Sequence, residues 1–424
     1  MKNKFLYIFS VALTLTVSSC NQEYLNPSAA SEQQVVNDVN GLITLCNGLQ
    51  YRFTIGRASP GYTVPTATGL VTRELTVLNA GNADEEFLRL GAANVQGINS
   101  IVNNLWSQSN LVKASADIIL KNADKVADAG TKAGIIGYAS IFRALALGNL
   151  ATYWEKAPIA VGENAAFSTR EDVLKEAIRQ LETAAANTTA VSANFTNRIV
   201  PGIDIQNTIQ ALIARYSLML GDYDKAIAAA DKVDLSKRSV FNFDDLSRNA
   251  MFDNTFSNRN VTEPANTTFG LPDALRPATA DKRIAFFFNT TTGSNLARAS
   301  FFTANNTAIP VYRPGEIMLI KAEALARKNN VSGAITELNK VLTKKTDAVG
   351  IGADLPAYSG ASTQADVLTE IYRQRCIELY LTGLKLDDSR RFARPAAERT
   401  RTFFPYPASE RDNNPSNTPA DPAN

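Results

Sequence analysis

Apolar residues recur along much of this chain at intervals of three and four, the spacing that lines one face of an α-helix. Residues 96–123, QGINSIVNNLWSQSNLVKASADIILKNA, place Ile98, Ile101, Leu105, Leu111, Ile118 and Ile119 close to one stripe. Segments 131–153, 170–187, 205–220, 222–234, 312–328, 331–345 and 364–382 carry the same signature. Thr169 stands ahead of Glu171 and Asp172, which fits an N-cap with acids in the first turn opposing the helix dipole. Convincing two-residue alternation is scarce. The pattern predicts a mainly all-α fold.

Two of these segments share a repeat grammar. In ALIARYSLMLGDYDKAIAAADKV, Ala214 lies twelve residues before Ala226, with Gly221 and Tyr223 at the turn. In IMLIKAEALARKNNVSGAITELNKV, Ala322 lies twelve before Ala334, with Asn329 and Asn330 at the turn. Small residues at those places let antiparallel helices approach closely, and the unit resembles a tetratricopeptide helix pair. Segments 131–187 and 312–382 stretch into the same scheme. About 80 residues separate the two clearest units, unlike a solenoid whose repeats follow one another directly.

Residues 52–96 and 235–310 lack sustained helical period and are rich in Asn, Thr, Gly, Pro and aromatics. Long irregular stretches inside a compact domain are commonly functional, and this density of Phe and Tyr argues against disorder. Both are expected to form an irregular, loop-rich capping subdomain on a helical scaffold made of residues 28–51, 97–234 and 311–393.

The chain opens with Lys2 and Lys4, then a mostly apolar run from Phe5 to Val17, too short to span a bilayer. Val17-Ser18-Ser19-Cys20 follows. This resembles a bacterial lipobox: residues 1–19 read as a lipoprotein signal peptide and Cys20 as the lipid attachment site. Without residues 1–19, basic and acidic residues balance at 41 against 41, since the full chain has 43 and 41 and the leader holds two lysines and no acid. A neutral chain without a basic cluster argues against nucleic acid as partner. No other stretch approaches eighteen apolar residues, so no spanning segment is expected. Cys46 and Cys376 sit in helix-like apolar patterns, where a thiol behaves as a small buried hydrophobe.

Histidine is absent from the sequence. That removes imidazole general bases, serine and cysteine triads built on histidine, and HExxH zinc sites. No phosphate-binding glycine motif is present, and no metal site or cofactor is expected. The adjacent pairs Glu85-Glu86 and Asp387-Asp388 read as solvated faces or helix ends. A carboxylate-based glycoside hydrolase stays open, because two acids could still face each other across a cleft.

Several pieces, in order, resemble the SusD/RagB family of Bacteroidota lipoproteins. CNQEYLNPS is similar to the family's start, at Tyr24-Leu25-Asn26-Pro27. LWSQSNLVKASADIIL carries the family tryptophan at Trp106, with Asn110 where an aromatic is usual. IFRALALGNLATYWEKAPIA keeps Arg143, Ala144 and Pro158. DKRI at 281–284 resembles an Asp-Pro-Arg-Leu element. VYRPGEIMLIKAEALAR matches closely at Tyr312, Arg313, Glu316, Leu319, Ile320, Ala322, Glu323 and Ala324. YRQRCIELYLTGLKLDDSRR keeps Arg375, Glu378, Leu379 and Gly383, but Thr382 and Lys385 replace an acid and an arginine. FFPYPASERDNNPSN resembles the closing tail.

The resemblance implies a single SusD-like domain over residues 20–424 and a non-enzymatic role. The protein would be lipid-anchored in the outer membrane, facing the cell surface. There it would capture an oligosaccharide or peptide for a SusC-type TonB-dependent β-barrel transporter. An alternative is a tetratricopeptide-like periplasmic adaptor that binds proteins. Sugars stack their C–H faces on aromatics and bond their hydroxyls to polar side chains. By residue type, the ligand-binding candidates are Tyr62, Arg73, Asn79, Asn82, Asp84 and Phe87 in the first irregular segment, and Phe256, Arg259, Phe301 and Phe302 in the second, where Phe286 and Phe288 are further aromatics. The abundance of phenylalanine over tyrosine and tryptophan there leans toward an apolar or peptidic ligand. Trp106 and Trp154 read as packing residues, and the run Phe286–Phe288 as core.

Overall fold

The structure, a computed structural model, describes residues 32–187, 190–257, 260–289 and 301–423. The expected signal peptide, Cys20 and Arg259 lie outside them. The principal helices are α1 (Val39–Thr54), α2 (Pro60–Val71), α3 (Ala83–Leu90), α4 (Ser100–Asn122), α5 (Ala129–Tyr153), α6 (Arg170–Asn187), α7 (Ile205–Leu220), α8 (Tyr223–Ala230), α9 (Pro314–Arg327), α10 (Val331–Thr343), α11 (Gln364–Glu378) and α12 (Lys385–Arg391). Among the described residues, six short strands form three antiparallel two-stranded ladders: β1 (Leu75–Val77) with β5 (Thr262–Pro264), β2 (Lys156–Pro158) with β3 (Phe167–Thr169), and β4 (Val240–Phe241) with β6 (Ile309–Pro310). The fold is mainly α, as the periodicity predicts.

Helices α1, α4, α5, α6, α7, α8, α9 and α10 pack each against the next, and α11 closes the run against α9 and α10. The two alanine-marked pairs, distant in sequence, therefore stack on each other through α8 and α9. Ala214, Ala226, Ala322 and Ala334 are all fully buried at the close approaches. The turns obey their chemistry: Gly221 (φ +80°) and Asn329 (φ +62°) adopt left-handed conformations that glycine and asparagine tolerate best. Asp204, Asp222 and Asn330 cap the helices that follow them, each side chain accepting a backbone N–H of the first turn. Thr169 caps α6 in the same way, its Oγ1 accepting from Asp172 N at 3.2 Å.

Four expectations need correction. Residues 52–96 are not irregular throughout, for they hold α2 and α3. The sequence of α2, PGYTVPTATGLV, is buried almost all round, so it lacks the one-sided stripe that betrays a surface helix. On α4 the buried stripe runs through Ile101, Leu105, Val112, Ala116 and Ile119, while Ile98 precedes the helix at 73% exposed and Leu111 faces solvent. Helix α5 is long and apolar enough to cross a membrane, yet 89% of that window is buried inside the fold, so it is the central core helix. Glu85, Asp387 and Asp388 do sit at helix ends, in the first turns of α3 and α12, but they are buried rather than solvated. Glu85 takes Arg57 and Tyr62, Asp387 takes Arg170, Arg390 and Arg391, and Asp388 takes a bidentate Arg375 at 2.9 Å.

Cys46 and Cys376 are buried free thiols. Lys385, where the family resemblance expects arginine, donates instead to the carbonyls of Thr72 (3.1 Å) and Phe269 (2.6 Å), and Thr382 bonds back to Leu379 O. Trp106 and Trp154 pack edge to face at 4.8 Å, as expected of core residues.

Buried tyrosines dominate the alkaline limit of stability. Burial pushes Tyr62, Tyr216 and Tyr406 up to about 12 and raises Tyr153, Tyr138 and Tyr380 well above the ordinary value. A raised folded pKa means the stabilisation is complete below the ordinary value near 10 and is lost as pH rises through about 12. Lys113 acts oppositely: burial lowers it from 10.5 to about 8, so its contribution grows over that window. The expected result is a melting temperature that is nearly flat to about pH 10 and then falls steeply. Exposed Tyr51 ionises without unfolding, but most of the tyrosinate absorbance should appear only together with unfolding, and full ionisation of a still-folded protein would contradict this packing.

Candidate functional site

The β1–β5 ladder joins two segments almost two hundred residues apart and builds a polar surface at both of its ends. At one end Arg73, two residues before β1, lies across from Asn266, two residues after β5. Arg73 has φ +65°, a left-handed conformation that costs a non-glycine residue energy and marks a position held by its surroundings. Its Nε donates to Ala397 O at 3.1 Å. Asn266 Oδ1 accepts from Thr268 N and Gly270 N, which fixes the loop that follows β5. Two adjoining recesses share Arg73 and Asn266: one of about 230 Å³ bordered by Arg89 and Thr400, and one of about 300 Å³ bordered by Leu271 and Glu398. Together they form an open groove with cationic, anionic and amide groups on its walls.

At the other end of the ladder Asn82 Nδ2 bonds Asn79 O (3.0 Å) and Asn260 O (2.9 Å), while Asn79 Oδ1 accepts from Gly81 N (2.9 Å). Asp84 takes the hydroxyl of Ser100 and, on its backbone oxygen, Asn99 Nδ2. These three side chains hold their own loop. Phe87, at 42% exposed, lies on α3 with the similarly exposed Leu90, one turn apart.

The remaining sequence candidates lie inside. Tyr62 is fully buried with its hydroxyl on Glu85 (3.1 Å). Phe256 and Phe302 are buried and stacked at 5.7 Å, and Phe301 is buried against Arg313, whose guanidinium lies 4.8 Å from its ring centre. Phe287 and Phe288 are core as well, as the sequence suggested. The phenylalanines of the second segment thus spend their apolar surface on the fold, and the lean toward an apolar or peptidic ligand loses its basis.

A second concavity lies between α2 and the scaffold helices α5, α7 and α9, with a volume of about 120 Å³. Its walls are largely apolar, including Phe53, Leu145, Met219, Phe241, Phe302 and Leu381. Arg215 and Glu316 form a bidentate pair in it at 2.6 and 2.9 Å. Gly148 lies under the Tyr216 hydroxyl so closely that a Cβ there would come within 2.3 Å of it. Asn149, Tyr312 and Arg313 also line the crevice, and each has a buried polar atom with no partner: Nδ2, the hydroxyl and Nε. Burial pushes the Tyr312 hydroxyl well up and the Arg313 guanidinium down to about 10.

Asn266, Arg89 and Asn260 had no sequence signal, because their neighbourhood depends on the pairing of β1 with β5. Asn149 had one: an amide in an otherwise apolar helix. Among the described residues no group of three or more acidic or cysteine side chains is placed to hold a metal ion.

The sequence model of the SusD family matches residues 257–420. Among curated proteins the chain has no significant sequence match. Solved structures with a similar fold include a SusD superfamily protein from Parabacteroides distasonis, at TM-score 0.68 and 15% identity, covering 91% of this chain and 98% of the other. A SusD-like carbohydrate binding protein from Bacteroides vulgatus aligns at TM-score 0.67 and 19% identity, covering 87% and 86%. NanU of B. fragilis aligns at TM-score 0.67 and 12% identity, covering 92% and 98%. Identities this low establish a shared fold. Residues 257–420 match the SusD family by sequence, and the fold shared with SusD-like structures extends over most of the chain.

Proposed function

We propose that this protein is a nutrient-capture lipoprotein of the outer membrane, tethered through Cys20 after removal of residues 1–19 and acting as one domain over residues 20–424. The observation that carries this reading is the SusD family match over residues 257–420. It would bind an oligosaccharide or peptide at the cell surface and pass it to a SusC-type TonB-dependent transporter. One structural neighbour is itself described as a carbohydrate binding protein, which favours the glycan over the peptide. The lack of histidine is compatible with binding rather than catalysis.

The groove around Arg73 and Asn266 is the site we assign to this capture. Arginine and amide side chains suit hydroxyl-rich ligands because each offers several directed donors. Arg73→Ala and Asn266→Ala are each expected to weaken glycan binding by about 1–2 kcal/mol, roughly five- to thirtyfold in affinity. Binding of the wild type and both variants to a glycan and peptide array, followed by calorimetry on the best glycan, checks this. Tight glycan binding that neither substitution alters would move the site elsewhere, and peptide binding alone would overturn the glycan assignment.

A further inference from the structure

We propose that the groove beside the β1–β5 ladder selects acidic sugars, ones that carry a carboxylate or a sulfate group, and that Arg73 reads their charge. The inference rests on the assignment of nutrient capture to this groove and names the class of glycan it takes. Arg73 and Asn266 are the two residues that border both recesses, and both are exposed. A Cβ on Gly270 would come within 2.6 Å of Arg73 O, so that carbonyl is covered and the exposure of Arg73 lies on its side chain.

The pair offers a ligand donors alone. Arg73 Nε is held by Ala397 O at 3.1 Å, and among the described residues neither Nη has a partner. Asn266 Oδ1 accepts from Thr268 N (2.9 Å), Thr268 Oγ1 (2.7 Å) and Gly270 N (3.3 Å). These bonds fix which end of the amide is oxygen and leave Nδ2 as the end a ligand can reach. A sugar hydroxyl both donates and accepts, whereas carboxylate and sulfate oxygens only accept, so the anionic group matches a pair of donors better. The guanidinium also presents two parallel N–H groups in one plane, the fork that holds an oxyanion at two points.

Charge points the same way. The charged residues lining the two recesses are Arg73, Arg89 and Glu398. Arg89 is answered by Glu86 through bonds of 2.8 and 2.5 Å. Glu398 is held by Arg394 and by the Tyr372 hydroxyl at 3.1 Å. Acids outside the recesses are accounted for as well. Glu74 is buried on the Thr72 hydroxyl and the backbone of Leu381, in the field of Lys385. Asp273 pairs with Arg276, and Glu263, opposite Thr76 on β5, lines neither recess. Arg73 alone keeps a charge without an ionic partner in the groove.

Calorimetric titration of the purified protein with two pairs of oligosaccharides tests the proposal: an oligogalacturonate against its methyl ester, and a sulfated galactan fragment against its desulfated form. In at least one pair the acidic member should bind about tenfold or more tightly than the neutral one. That ratio should shrink as salt is raised, because the groove is open to solvent. The pair that shows it identifies the carboxylate or the sulfate as the group read. Arg73→Gln should bring the ratio close to one. Asn266→Asp keeps the oxygen that holds the loop and sets a negative charge beside Arg73, so it should abolish the preference too. Lys237→Gln, in a recess that shares no residue with the groove, removes the same charge and should leave the ratio unchanged. Circular dichroism confirms folding, and Asn266→Asp carries the test if Arg73→Gln does not fold. Neutral members that bind as tightly as acidic ones, with binding that still depends on Arg73, overturn the proposal and leave the groove as the glycan site. An acidic preference that survives both groove substitutions overturns the groove assignment and the proposal together. Binding of none of the four sugars overturns the proposal, while the glycan array still judges the groove for neutral glycans.

Discussion

Arg283→Leu is expected to destabilise the protein by about 3–5 kcal/mol, because it strands buried carboxylates rather than merely deleting a contact. Arg283 is fully buried and holds Asp281 through two bonds (Nε to Oδ1 at 2.9 Å, Nη2 to Oδ2 at 2.7 Å). It also holds Glu378 Oε2 at 3.0 Å and the side-chain oxygen of Gln374. Burial pushes the Glu378 carboxyl up, but Lys344 and Arg283 outweigh it and hold it below the ordinary carboxylate value. A depressed folded pKa means this stabilisation is present near neutrality and lost as pH falls through the carboxylate range. Without Arg283, Asp281 keeps no ionic partner, and Glu378 keeps Lys344 alone. Asp281 and Arg283 belong to the second irregular segment and Gln374 and Glu378 to α11, so the network docks that segment on the scaffold. Urea unfolding should show a large drop in midpoint, and glycan binding should weaken as the segment that carries Asn266 loosens. A loss below about 1 kcal/mol would show that these charges are solvated in solution.

Trp154→Ala should cost a similar amount, about 3–5 kcal/mol, by the cavity it leaves in an aromatic cluster. The indole is fully buried at the end of α5, edge-on to Trp106 at 4.8 Å and to Phe404 at 6.2 Å. Its Nε1 donates to Pro405 O at 3.0 Å, and Trp106 Nε1 donates to Glu410 Oε2 at 3.1 Å. The two tryptophans thus pin the C-terminal segment across the helix ends. Loss of Trp154 removes ring contacts and leaves the Pro405 carbonyl unpaired, so the damage should concentrate there. Limited proteolysis should cut near residues 401–411 in the variant well before the wild type. Cleavage at the same rate in both would contradict the assigned role.

The helices were legible because most of them bury one face and expose the other, which writes a 3.6-residue period into the sequence. Gly221 and Asn329 marked turns because few other residues accept a positive φ. Helix α2 was not legible: it is buried on nearly every side, and its Pro65 and threonines are poor helix formers that only tertiary packing overrides. The acids Glu85, Asp387 and Asp388 looked solvated because part of what covers them, Arg57, Arg170 and Arg375, comes from elements distant in sequence. Of the candidate site, Arg73 was named from its residue type, but Asn266 became its neighbour only through strand pairing. Phe256, Phe301 and Phe302 show the ambiguity of aromatic residues, which suit a binding platform and a core equally well by type: all three are buried, and Phe302 also lines the second concavity.

The central claim, capture at the outer membrane in partnership with a transporter, is tested most directly by purifying the full-length, C-terminally tagged protein from membranes of its native cells with the N-terminus intact. The account predicts a chain that begins at an acylated Cys20 and co-isolates with a TonB-dependent β-barrel in near-equal amount. Recovery of the protein alone from the soluble periplasmic fraction, with an unmodified Cys20 or an uncleaved leader, would contradict it.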